Sequence, residues 1–145
     1  MQKRITEPGR LLNEQGELIE AGYATELIRE YSRSDIKASP LRIKEWDYYL
    51  VNDGDYGLAL TIADNSYMGL MSVSWLDFTK PCETTKSEMI IMPMGSTGLP
   101  SSSAAGNVSF HNARLDLSFY NDGKMRRLVC IYRNFKNGET LHANV

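Results

Sequence analysis

The density of turn signals constrains this chain more than any other feature of its sequence. Strand-like segments are separated by Asn13-Glu14-Gln15-Gly16, Asn52-Asp53-Gly54-Asp55, Ala63-Asp64-Asn65-Ser66, Asn121-Asp122-Gly123 and Lys136-Asn137-Gly138. Asn, Asp and Gly accept the positive φ of tight hairpin turns at little cost, so these junctions predict a meander of antiparallel hairpins. The segments between them alternate as strands do. Tyr56, Leu58, Leu60 and Ile62 interleave with Gly57, Ala59 and Thr61, and Leu115, Leu117 and Phe119 interleave with Asp116, Ser118 and Tyr120. Period-two alternation marks a strand with one buried face. Tyr67–Phe78 and Glu88–Met94 are apolar on both faces, which predicts central or doubly covered strands. The expected fold is an all-β antiparallel sandwich or open barrel of about seven to ten strands.

Two stretches depart from this pattern. Ala24, Leu27, Ile28 and Tyr31 fall at helical spacing, but a helix of two turns is marginal and an extended reading is nearly as good. Gly95–Asn107, rich in Gly, Ser and Ala around Pro100, reads as a long mobile loop. Strand pattern resumes beyond it without a change of composition, so residues 1–145 are expected to form a single β domain.

Composition narrows the class of protein. At 42% hydrophobic and 23% charged residues the chain has the makeup of a globular protein. A net charge of -2 argues against a dedicated nucleic-acid surface. The longest apolar run is too short to span a membrane, and the basic start Met1-Gln2-Lys3-Arg4 has no apolar core behind it. Cys82 and Cys130 make no disulfide framework; Cys130, in Leu128-Val129-Cys130-Ile131, reads as a buried apolar side chain and Cys82, after Pro81, as exposed. The location that fits is the cytoplasm.

No cofactor or metal is expected. Gly95-Ser96-Thr97-Gly98 lacks the helix and lysine of a phosphate loop, and the isolated His111 and His142 make neither a hydrolase nor a zinc site. Asn52–Asp55 faintly resembles a calcium loop but lacks its distal glutamate, and a turn explains all its residues. The richest segment is Leu41–Val51. As a strand it places Arg42, Lys44, Trp46, Tyr48 and Leu50 on one face and Ile43, Glu45, Asp47, Tyr49 and Val51 on the other. Each face mixes charge with large aromatics. Cationic side chains lying on aromatic rings explain this, and so does a pocket wall with a few convergent polar groups. Asp64 is either a turn former or an inward acid, and an inward acid must be paired.

Three stretches, Leu18–Ala24, Arg42–Tyr49 and Leu60–Asn65, with their Lys-x-Trp-Asp-Tyr and Thr-x-Ala-Asp motifs, resemble the N-terminal part of a family of uncharacterised bacterial proteins catalogued as a domain of unknown function. Its members are longer, which implies that this chain is the N-terminal portion of a two-part protein. That family is in turn distantly similar to two-domain lipocalin-like proteins of the carotenoid hydratase type, implying an open lipocalin-like barrel or sandwich with an apolar pocket.

Three functions follow as expectations. The first is a binding module for a small apolar or lipid-like ligand, with Arg42, Lys44, Trp46, Asp47, Tyr48 and Asp64 as candidate site residues. The second is half of an enzyme acting on a hydrophobic substrate, with Asp47 or Asp64 as acid and Lys44 or Arg42 as partner. The third is a structural half-domain. A cut within a β-architecture would leave the strand near Leu141–Val145 unpaired and favour a homodimer.

Overall fold

The computed structural model describes all residues, Met1–Val145. Eight strands of four or more residues form two four-stranded antiparallel sheets. The first sheet contains β3 (Glu45–Asn52), β4 (Tyr56–Asp64), β5 (Met68–Asp77) and β6 (Cys82–Ile91), in that spatial order. The second contains β7 (Val108–His111), β8 (Leu115–Asn121), β9 (Arg126–Lys136) and β10 (Glu139–Asn144), also in sequence order. Two-residue strands β1 (Gly9–Arg10) and β2 (Arg29–Glu30) pair in parallel within the N-terminal segment. The sheets pack face to face as a sandwich and do not close into a barrel.

The hairpins lie where the turn residues put them. Asp53 Oδ1 accepts from the amides of Asp55 and Tyr56 at 3.1 and 2.8 Å, so the calcium-like Asn52–Asp55 is a hairpin turn. Asp122 Oδ1 does the same for Lys124 and Met125, both at 2.8 Å. Alternation then sends Leu58, Leu60, Ile62, Met71 and Val73 inward from the first sheet. Val108, Leu115, Leu117, Phe119, Leu128, Cys130 and Tyr132 meet them from the second. Tyr49 closes against Phe119 edge to face, with ring centroids 4.9 Å apart. Burial pushes the Cys130 thiol up to about 12, with Asp116 adding to the shift, so it packs as an inert apolar group, whereas Cys82 is exposed.

Several boundaries differ from the sequence reading. Ala24–Tyr31 contains no helix; Gly9 and Leu11 amides donate to the carbonyls of Ile28 and Glu30, which draws this stretch into extended pairing. Of Glu88–Met94 only Glu88–Ile91 is strand, the end of the edge strand β6, and the chain leaves the first sheet at Met92. The β7 strand and the hairpin at Phe78–Pro81 carry no Asn-Gly or Asp-Gly signal and were not legible. The Leu141–Val145 stretch, expected to lack a neighbour, pairs with β9, and Val145 and Leu128 exchange both backbone hydrogen bonds. Residues 92–107 form the irregular crossover between sheets, tied down by Gly106 and Asn121, whose side chain donates to Ser103 O at 2.9 Å.

Candidate functional site

The two sheets differ on their outer faces, and a cleft opens along the free edge of β3. Its volume is about 510 Å³, and Tyr31, Ile36, Ala38, Arg42–Asp47, Leu99 and Pro100 line it. Three parts of the chain make these walls. The N-terminal segment supplies Tyr31 through Ala38, β3 with its lead-in supplies Arg42–Asp47, and the crossover supplies Leu99 and Pro100. A depression of similar size on the second sheet is lined by Asn107, Tyr120, Asn121, Asp122, Met125, Arg127 and Val129, and its Asn107, Asn121 and Asp122 side chains are engaged with backbone amides.

Four of the six residues expected from sequence meet in the β3 cleft: Arg42, Lys44, Trp46 and Asp47. They do not share one strand face. Pro40–Arg42 is a turn of 3-10 helix, since proline fixes its own φ and starts such a turn readily, and β3 begins only at Glu45. Lys44 leans away from the cleft floor, with Nζ donating to Asn65 O at 2.9 Å and lying 3.9 Å from the centroid of the Tyr67 ring. Arg42 is exposed. From Glu45 onward the strand alternates, so Asp47, Tyr49 and Val51 are half-buried and Trp46, Tyr48 and Leu50 are exposed. Tyr48 therefore lies on the outer sheet face and does not line the cleft.

Asp64 is also outside the cleft. It is the last residue of β4, points inward and is fully buried. Burial alone would raise its pKa, but four hydrogen bonds outweigh it. The Ser66 amide donates at 2.8 Å, the Gly95 amide at 2.7 Å and the Thr97 hydroxyl at 2.9 Å, with the Thr97 amide adding a fourth. Its carboxyl therefore lies below the usual carboxylate range. The Gly-Ser-Thr-Gly segment thus serves as the cap on a buried carboxylate. Gly95 has φ 95°, and a Cβ there would lie 2.7 Å from Arg33 Nε, so only glycine fits this approach.

A second polar group, not anticipated from sequence, supports the cleft from behind. Glu45 accepts from the Tyr31 hydroxyl and from Arg33 Nη1. Arg33 Nη2 reaches Ser66 Oγ at 3.4 Å, and Ser66 Oγ donates to Ile43 O at 2.8 Å. Burial first, then the bond to Glu45, raises the Tyr31 hydroxyl above its ordinary range. These contacts pin the N-terminal segment to β3 and so fix one wall of the cleft.

Asp47 is the exception within this network. It is half-buried, and burial raises its pKa, with only the field of Arg126 opposing. Asp47 lines the cleft, no protein group donates a hydrogen bond to it, and its carboxylate is reached by solvent. Arg126 is engaged elsewhere, with its guanidinium bonded to Ser103 O and lying 5.8 Å from the centroid of the Tyr49 ring.

The chain is thus an antiparallel β-sandwich with a mixed apolar and charged cleft at one sheet edge. A family model described as a domain of unknown function (DUF2804) matches residues 2–145, and the chain belongs to that family. No curated protein and no solved structure matches it. No helix of the chain is long and apolar enough to cross a membrane.

Proposed function

We propose that this chain binds a small, mostly apolar ligand carrying a hydrogen-bond-donating or cationic head, seated in the β3 cleft. The observation that carries this reading is Asp47. A half-buried carboxylate without a protein donor, beside Tyr31, Ile43, Trp46, Leu99 and Pro100, supplies a polar anchor in a partly apolar wall. A donor on the ligand would replace the missing protein donor, and the ligand body would cover Ile43 and Leu99. The volume suits a drug-sized molecule.

The test uses octylamine, octanol and octanoate as probes, read by the rise in melting temperature of the full chain. Octylamine should stabilise most, and Asp47→Asn should erase its advantage over octanol. If octanoate stabilises best, the exposed Arg42 is the anchor and the proposal fails. An enzyme acting on a hydrophobic substrate is the second reading, favoured by the same carboxyl, because burial raises its proton affinity and so suits it to proton transfer. Native mass spectrometry separates the two: a retained ligand supports binding, and a chemically altered one supports catalysis.

A further inference from the structure

The outer face of the first sheet is nearly uncharged, while the outer face of the second is not. On the second, Asp116 pairs with His111 and with Arg133 at 2.8 Å, and Arg127 bonds Asn144 at 2.9 Å. Among the outward positions of β3–β6, Glu83 is the single charge. Trp46, Tyr48 and Leu50 form a ridge along β3, 62, 54 and 46% exposed. Beside it runs a trough of small side chains, Ala59, Thr61, Ser72 and Ser74. Exposed apolar faces of this kind mark interaction sites.

The cross-strand register shows what fits this face. Its outward residues fall in four rows: Trp46–Ala63–Leu70–Met89, Tyr48–Thr61–Ser72–Ser87, Leu50–Ala59–Ser74–Thr85 and Asn52–Gly57–Leu76–Glu83. A twofold axis parallel to the strands, between β4 and β5, lays each row on its own reverse. Tyr48 then covers the partner copy's serine at 87, Leu50 its threonine at 85, and Leu70 its alanine at 63. Trp46 meets a methionine, a favourable sulfur–aromatic contact. The only charge, Glu83, meets an asparagine amide. Large side chains fall on small ones at Tyr48, Leu50 and Leu70, small ones meet at the centre where Thr61 faces Ser72 and Ala59 faces Ser74, and no like charges oppose.

We propose that this face is the interface of a homodimer, two copies of the chain packed sheet on sheet about that axis. Four strands about 4.8 Å apart and some eight residues long give a face of about 500 Å² per copy. The total of about 1,000 Å² is at the lower limit for a specific interface. Aligned sheet packing accommodates it with a rotation of about 30°. The dimer is accordingly a reversible one of micromolar strength.

Sedimentation velocity of the full chain, from low to high micromolar concentration, tests this. The expected result is a monomer–dimer equilibrium that Thr61→Arg abolishes and Ser118→Arg, on the opposite sheet, leaves intact. Circular dichroism of both variants checks that they fold. The exposed Asn52 gives a test of register that leaves the fold untouched. Asn52→Lys, placed against Glu83 of the other copy, should tighten the dimer about two- to fivefold, and Asn52→Glu should weaken it similarly. A chain that stays monomeric throughout, a dimer that survives Thr61→Arg, or equal effects of the two Asn52 changes would each overturn the proposal.

Discussion

Asp47 and Asp64 are inward-facing carboxylates on adjacent strands, yet they are placed under opposite conditions. Asp64 is buried completely and sits below the usual carboxylate range because backbone amides and the Thr97 hydroxyl offset the burial. Asp47 is only half-buried, yet burial raises its pKa because no hydrogen-bond donor offsets it and only the field of Arg126 opposes. Glu88 extends the comparison. It reaches from β6 across the sandwich, and burial is outweighed by donors from Tyr132 at 2.6 Å, Asn112 at 3.0 Å and Arg114 at 3.0 Å. Depth alone therefore does not set the chemistry of an acid; the supply of donors does. Two of these acids are ties within the fold, and the third has no hydrogen-bond donor within it.

The comparison breaks most visibly at Glu88. Replacing it with Ala leaves the buried Tyr132 hydroxyl and the Asn112 amide without their acceptor, and should cost about 3 kcal/mol or more in denaturant unfolding. A cost below about 1 kcal/mol would show that the cross-sandwich tie is dispensable. Asp64→Asn comes next, at about 1–3 kcal/mol, since the neutral amide accepts less strongly from Gly95 and Thr97. Parent-like melting would reduce Asp64 to a turn residue.

Acid titration of stability sharpens the contrast by sign. Asp64 and Glu88 have lowered folded pKa values, so their contribution is present above the unfolded carboxylate range, about 4, and is lost as pH falls through it. Asp47 has a raised folded value, so its contribution is present below that range and lost as pH rises through its folded pKa. The parent should therefore lose stability on acidification less steeply than Asp47→Asn does. The smallest effect is that of Asp47→Asn at neutral pH, a gain of no more than about 1 kcal/mol, because an unpaired charge is removed from a half-buried site. A loss instead would mean that Asp47 has a partner within the protein.

Much of the sandwich is readable from local chemistry. The Asn/Asp/Gly turns and the alternation in β4 and β8 specify hairpins and inward faces without reference to distant residues. The cleft is less readable, because its walls come from Tyr31, Glu45 and Leu99, which are far apart in sequence and meet only after the sheets pack. A single continuous strand would set Arg42 and Lys44 on one face with Trp46, but the 3-10 turn at Pro40 and the start of β3 at Glu45 break that phase. Asp64 illustrates a different gap. Its inward position and its bond from the Ser66 amide are local, but its other donors, Gly95 and Thr97, lie some thirty residues ahead in a segment without regular structure.

Each sheet is a run of four strands consecutive in the chain, joined only through residues 92–107. That wiring has a kinetic meaning. Nearly all strand pairing is between nearest neighbours in sequence, so little loop-closure entropy opposes each hairpin, and the rate should fall at the fast end for an all-β protein. The non-local event is the docking of one meander on the other, which brings Glu88 to Tyr132 and Tyr49 to Phe119. Substitutions at those contacts should speed unfolding far more than they slow folding, as a chevron plot would show.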